Sequence, residues 1–237
     1  MHTNGNNDDD FEEAQDDLTE LEDEALRASI ETSEHEDEDE RRILPIGKTF
    51  SSFLSASVYE PQEDTYLLAD ASDEFAFGKV LEVGCGSGFI AVELAKNGLL
   101  VDACDVNPDA ILATQDLAQR EEVSVRAFKS DLFESVVDEY DTIVFNAPYL
   151  PEDEREPQDI RLATTGGKEG HEIIERFLID APIHLVQGGI ILLLFSSLTQ
   201  KEKIDQFIRE LGYVHEQVRE EKQFFESLYV YKISRAS

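Results

Sequence analysis

The residues best equipped for chemistry are Asn146-Ala147-Pro148-Tyr149, which directly follow the apolar run 142–145. An asparagine side chain carries a carbonyl oxygen, and the backbone carbonyl of Ala147 lies within reach of the same ligand. Two such acceptors would hold both hydrogens of a planar NH2 group and push electron density toward its nitrogen. Pro148 biases Ala147 toward extended backbone, which would fix that carbonyl, and Tyr149 offers a flat face for the group to stack on. Holding the nitrogen against an electrophilic carbon would then do most of the work. Asn and Pro are also common in plain turns, so the tetrapeptide needs support from elsewhere in the chain.

That support is the upstream loop Glu82-Val83-Gly84-Cys85-Gly86-Ser87-Gly88, which follows a short apolar strand and precedes a helix. Glycine lets the backbone turn sharply and approach a ligand closely, with helix N–H groups pointing outward. The spacing is G-x-G-x-G. The phosphate-type G-x-G-x-x-G is absent, which suits S-adenosylmethionine, a cofactor without a pyrophosphate. Asp105, followed by Val106, ends the second strand, where a carboxylate can accept both ribose hydroxyls. Asp131-Leu132-Phe133 ends the third, with Asp131 placed to accept from the adenine amino group and Phe133 to stack on the ring. Cys85 reads as small filler and Cys104 as core. The order of cofactor loop and then NH2 grip reads as methylation of a planar nitrogen.

These residues need a scaffold that brings successive strand ends together, and the rest of the chain supplies one. Strands are expected over 79–83, 99–104, 123–128, 142–145 and 190–195, with helices over 89–97, 107–119, 172–186 and 201–211. The most apolar run, 190–195, is placed at the sheet centre. Segments 213–219 and 224–233 have no helix between them and would pair as an antiparallel hairpin. Repeated strand–helix units predict an α/β fold, a mostly parallel seven-stranded sheet with helices on both faces. The polar stretch 151–170 is long for a connection and reads as a binding loop or lid.

Composition divides the chain. It carries 53 acidic and 20 basic residues, a formal charge of -33. Residues 1–42 hold 18 acids against Arg27, Arg41 and Arg42, and read as an acidic disordered tail. The domain at 43–237 keeps 35 acids and 17 bases, yet only nine lysines and no tryptophan. Such a surface repels itself less when molar salt shortens the screening length to about 3 Å, which points to a halophile. Two cysteines and five scattered histidines give no disulfide framework and no metal-ligand spacing. No run approaches the ~18–20 apolar residues of a membrane span, and the N-terminus lacks a basic, then apolar leader. A soluble cytoplasmic protein without a metal is expected.

The sequence resembles the HemK family of protein glutamine methyltransferases, most closely its archaeal/eukaryotic release-factor branch. Tyr59-Glu60-Pro61-Gln62-Glu63-Asp64-Thr65-Tyr66-Leu67-Leu68 is similar to that branch's Y-E-P-x-E-D-T-x-L-L signature. The 82–88 loop, Asp105-Val106-Asn107-Pro108 and Ser130-Asp131-Leu132 match its cofactor motifs in order. Gly166-Gly167 with Gly170, Arg176-Phe177-Leu178, and the tail from Phe224 to Tyr231 also fit. The resemblance implies a class I, Rossmann-like methyltransferase in which Glu63, Asp64 and Thr65 lie near the methionine end of the cofactor. It implies the glutamine of the Gly-Gly-Gln motif in the class-1 translation termination factor as acceptor, and a small zinc-ribbon activator subunit as partner. The family motif is N-P-P-Y, and here its first proline is replaced by Ala147.

Two other functions remain compatible with these residues. Adenine's amino group suits the same acceptors, so an N6-adenine nucleic-acid methyltransferase is possible in principle. The chain lacks a recognition domain for base flipping, and its charge repels phosphate. A non-catalytic methyltransferase-like binding subunit is the other, with Ala147 the one hint toward it.

Overall fold

The computed structural model describes residues 58–150 and 165–236. The acidic segment 1–42 and most of the expected lid, 151–164, lie outside the described residues. Helix α1 (Glu63–Phe75) leads into strand β1 (Lys79–Val83), α2 (Phe89–Lys96), β2 (Leu100–Asp105), α3 (Pro108–Arg120), β3 (Val125–Lys129) and β4 (Tyr140–Asn146). Then follow α4 (Glu172–Asp180), β5 (Leu185–Ser196), α5 (Lys201–Glu210), β6 (Tyr213–Lys222) and β7 (Ser227–Arg235). The seven strands form one sheet in the order β3-β2-β1-β4-β5-β7-β6. β1 to β5 pair in parallel, while β7 runs antiparallel to both β5 and β6. This is the class I methyltransferase layout expected above.

Strand side chains alternate between the two faces, and the core is split accordingly. Leu81, Val83, Ile143, Phe145, Ile191, Leu193 and Phe195 pack with Ile174, Phe177 and Leu178 of α4 and Ile204 and Ile208 of α5. Val80, Val144, Leu192 and Leu194 face the other way, onto α1, α2 and α3 through Leu68, Ile90, Leu94 and Ile111. Burial on both faces explains why β4 and β5 read as continuous apolar runs rather than as alternating ones.

Three expectations need correction. The helix over 172–186 stops at Asp180, a 3-10 turn carries Pro182, and β5 has already begun at Leu185. Pro182 lacks the N–H an α-helix would use, so a tighter turn takes over. β5 is an interior strand, but the middle of the sheet is β4. The last strand starts at Ser227, which leaves Phe224 and Phe225 in the turn before it. Helix α1 was not anticipated from periodicity. Only Asp64, Thr65, Leu68, Ala71 and Ser72 of it are buried, too mixed a stripe to register as apolar spacing.

Strand order reverses beside β1, with β2 on one side and β4 on the other. The crevice at the carboxyl ends of strands flanking such a switch point is where open α/β sheets bind ligands. The glycine loop ends β1, Asp105 ends β2, and Asn146 ends β4.

Candidate active site

A cleft of about 710 Å³ opens at that point. Its wall includes Asp64, Thr65, Glu82, Gly84, Gly86, Asp105, Val106, Asp131, Leu132 and the whole of Asn146-Ala147-Pro148-Tyr149. Thus thirteen of the fifteen site residues singled out from sequence line one cavity, although they come from five separated segments. The other two are placed differently. Glu63 is an exposed first-turn residue of α1. Gly88 is the left-handed N-cap of α2, φ +79°, and a β-carbon there would sit 2.7 Å from Cα of Thr114. It lets α2 approach α3 and does not touch the cleft.

The cofactor side is built from backbone donors and carboxylates. Gly84 and Gly86 both hold positive φ, +68° and +50°, so the loop turns in a way that side chains resist. Each oxygen of Asp105 accepts one backbone N–H, from Gly86 at 3.0 Å and Asn107 at 2.8 Å. A carboxylate has about four lone-pair sites, so Asp105 keeps acceptor capacity for a ligand hydroxyl. Burial raises the Asp105 pKa, with the N–H bonds from Asn107 and Gly86 opposing it. Glu82 is more extreme. It is 3 % exposed and accepts from Ala91 N at 2.8 Å, yet burial, with the charge of Asp105 adding to it, pushes its pKa up to about 8.

The expected adenine contacts divide. Asp131 lines the cleft and pairs with Arg176 at 3.2 Å. Phe133 does not: it is 6 % exposed, packed against Phe177 and stacked on His184 at 4.9 Å. Leu132, with its φ of +48°, turns the chain so that Phe133 points into the core. Cys85 and Cys104 are both buried and free; burial raises both thiol pKa values, that of Cys104 to about 12.

The grip on the opposite wall is organised by Asp64. Its Oδ2 accepts from the Tyr59 hydroxyl at 2.9 Å and from Asn146 Nδ2 at 3.2 Å, and its Oδ1 accepts from Thr65 N at 2.6 Å. Because the Asn146 amide nitrogen faces this carboxylate, its Oδ1 is turned the other way. That oxygen is shielded from solvent and has no hydrogen-bond partner among the described residues. A buried polar atom without a partner costs roughly 1–3 kcal/mol, so this oxygen has acceptor capacity that the described residues leave unused. Burial raises the hydroxyl pKa of Tyr59, as do Asp64's charge and hydrogen bond; burial likewise raises that of Tyr149, with Asp64 and Glu226 contributing.

Ala147 is 1 % exposed, and its N–H donates to Leu194 O at 3.3 Å. The donor that distinguishes it from proline therefore prolongs the β4–β5 ladder by one residue. Pro148 O crowds Gly166, where a β-carbon would meet it at 2.5 Å. Gly166 N also donates to Leu150 O at 2.9 Å, so the glycine segment is tied to the chain just after the tetrapeptide. Sequence reasoning missed Tyr59, Arg176 and Glu226 as wall residues. Each lay within a motif noted as family-like, but neither spacing nor composition pointed to a role. Among the described residues no His/Cys/Asp/Glu group is placed to hold a metal, and no helix is long and apolar enough to cross a membrane.

A cleft at the switch point of this sheet order, with a glycine loop after β1 and a carboxylate at the end of β2, is the arrangement of a class I methyltransferase. The Methyltransferase small domain family matches residues 57–226. A Methanocaldococcus jannaschii protein, provisionally named a protein N5-glutamine methyltransferase, is 38% identical over 180 residues, covering 75% of this chain and 91% of that one. Mouse Methyltransferase HEMK2 is 34% identical over 65% of this chain and 79% of its own. Among solved structures, the E. cuniculi Mtq2–Trm112 complex, described as responsible for methylation of the eRF1 translation termination factor, superposes with a TM-score of 0.62. It is 27% identical and covers 76% of this chain and 99% of the matched one. The chain belongs to the HemK-type N5-glutamine methyltransferases, enzymes of the small-domain methyltransferase family. S-adenosylmethionine is the methyl donor. The cleft fits it through the spare lone pairs of Asp105, the open turn at Gly84 and Gly86, and an acidic wall suited to a sulfonium cation.

Proposed function

We infer that this enzyme methylates the side-chain nitrogen of a protein glutamine, the Gly-Gly-Gln glutamine of the class-1 translation termination factor. The observation that carries the reading is the unpartnered Oδ1 of Asn146, held in place by Asp64. An amide nitrogen is a poor nucleophile because its lone pair is delocalised. Asn146 Oδ1 and the Ala147 carbonyl accept its two hydrogens, orient it and raise its electron density. Tyr149 provides the face on which the planar amide rests. Bound S-adenosylmethionine supplies an electrophilic methyl on a positively charged sulfur. The protein's part is to hold nitrogen, methyl carbon and sulfur in line. No strong general base is required, because the methylated amide nitrogen is very acidic and releases its proton to water.

The cleft argues against adenine in a nucleic acid. Its described wall carries the carboxyl groups of Asp64, Asp105, Asp131 and Glu226. The one basic side chain among those residues, Arg176, is paired with Asp131. Phosphate approach would be opposed and not rewarded.

The finer assignments follow the same logic. Similarity to HEMK2 and to Mtq2 supports the archaeal/eukaryotic release-factor branch, and Mtq2's complex with Trm112 supports a small activator subunit, of zinc-ribbon type by the resemblance. β3 ends the sheet, and an open strand edge is a natural seat for such a partner. The acid-rich, lysine-poor composition supports a cytoplasmic protein of a halophile, with residues 1–42 as a separate acidic tail. A methyl-transfer assay with intact termination factor, its Gly-Gly-Gln→Gly-Gly-Asn variant and DNA tests the reading. Methylation of the first alone is expected; transfer to DNA alone would overturn it.

A further inference from the structure

The turn joining β6 to β7 inverts the usual arrangement of a surface turn. Phe224 and Phe225 are 92 % and 88 % exposed, and their rings pack edge to face at 4.7 Å. The next residue points the other way. Glu226 lines the cleft, and its Oε2 is buried without a hydrogen-bond partner among the described residues. The turn is firmly held. Gln223 N donates to Glu226 O at 2.8 Å, and Ser227 N donates to Ser197 Oγ at 3.0 Å. Leu228, one residue further on, is 1 % exposed and anchors β7 in the core.

Neither feature serves the fold. Two adjacent phenylalanines in water lose the stabilisation burial would give them, and apolar patches on a soluble surface mark places of contact. A carboxylate oxygen shielded from water and unpaired lacks the compensation that buried polar groups normally have. Both costs are removed by one event, the arrival of a polypeptide at the cleft mouth with a backbone N–H aimed inward and aliphatic or backbone surface lying across the rings.

We propose that the β6–β7 turn is the docking subsite for the polypeptide segment that carries the acceptor side chain. Phe224 and Phe225 form the outer apolar contact, and Glu226 accepts a backbone N–H of a residue next to the acceptor. The occupant follows from continuity. The turn is both the rim and, through Glu226, part of the wall of the cleft that holds Asn146, so a chain entering to present its side chain passes over it. This subsite rests on the glutamine-methylation reading. It adds to that reading a reason for choosing a protein over the free amino acid, which has no flanking peptide bond to offer.

The test uses full-length enzyme with its activator subunit and intact termination factor. KM and turnover number are measured for wild type, for Phe224→Ser/Phe225→Ser and for Glu226→Gln, with cofactor affinity and melting temperature alongside. Truncating anchoring aromatics commonly weakens protein contacts by ~10-fold or more. The double variant should therefore raise KM for the factor by about that ratio, with cofactor affinity and melting temperature held. Glu226→Gln, which preserves shape, should raise KM several-fold and serves if the double variant fails to fold. Unchanged KM in a folded variant, while wild type methylates the factor, overturns the docking subsite and leaves the glutamine reading standing. Wild type that binds cofactor but never methylates the factor overturns both.

Discussion

Replacing Asn146 with aspartate separates the hydrogen-bonding geometry proposed here from the general usefulness of an oxygen at that position. A carboxylate is a stronger acceptor than an amide, so on acceptor strength alone Asn146→Asp would improve the grip on a substrate NH2. The structure predicts the opposite, because Asn146 Nδ2 lies 3.2 Å from Asp64 Oδ2. The substitution sets two carboxylates at about that separation. At an effective dielectric of about 20, two unit charges so placed repel by roughly 5 kcal/mol. The pair relieves this by sharing one proton or by moving apart. Moving apart destroys the grip, whereas sharing a proton restores the wild-type pattern, with one carboxyl donating to the other and an oxygen left for the ligand. Repulsion of that size keeps the shared proton bound to above neutral pH, so turnover should fall as pH rises past about 8, by ~10-fold or more at pH 9, toward the ~10²–10³-fold loss typical of deleting such an acceptor outright, as in Asn146→Ala. Unlike the alanine variant, the aspartate enzyme should recover as pH falls, by up to about tenfold per unit until the shared proton is bound. Single-turnover kinetics on the termination factor, with cofactor affinity measured in parallel, distinguishes the two. Near-native turnover of Asn146→Asp at pH 9 would show that Asp64 does not orient this side chain. Near-native turnover of Asn146→Ala would reduce the tetrapeptide to a structural turn.

Asp105→Ala should weaken S-adenosylmethionine binding by roughly 2–4 kcal/mol, the worth of two hydrogen bonds to a charged acceptor; calorimetry showing unchanged affinity would remove it from the ribose site. Gly88→Ala should lower stability by ~2 kcal/mol or more in denaturant titration, because φ is +79° and the new carbon would sit 2.7 Å from Thr114 Cα. Gly98→Ala, at φ +86° with nothing within 4 Å, should cost only about 1 kcal/mol; equal losses would refute the packing argument. Glu82, with its pKa raised from 4.5 to about 8, binds more protons folded than unfolded between those values, so it makes the cofactor-free enzyme less stable as pH rises through that window. Glu82→Gln keeps an acceptor for Ala91 N and should flatten the fall in melting temperature between about pH 5 and 8; an unchanged slope would show that Glu82 titrates normally.

The parts of the site legible in the sequence were those where backbone requirements restrict residue type. Gly84 and Gly86 are glycines because φ is positive there, and Asp105 was identifiable because the strand it ends was. These marks located the cofactor side of the cleft at the ends of β1 and β2. Phe133 was assigned to the cofactor wrongly because its direction is set by the positive φ of Leu132, a conformation that leucine does not advertise. Glu226 was missed for a related reason. Whether a carboxylate in a hairpin turn faces water or the cleft depends on where β7 begins, and that is set by Leu228 entering the core. Asp64 shows the limit most clearly. Its importance lies in contact with Asn146, 82 residues away, and no local periodicity encodes that. The two meet only because α1 packs across the strand ends through Leu68 and Ala71. The orientation of the Asn146 amide, on which the whole proposed chemistry turns, is therefore a tertiary property. It will respond to substitutions in the α1 interface as well as to changes in Asn146 itself.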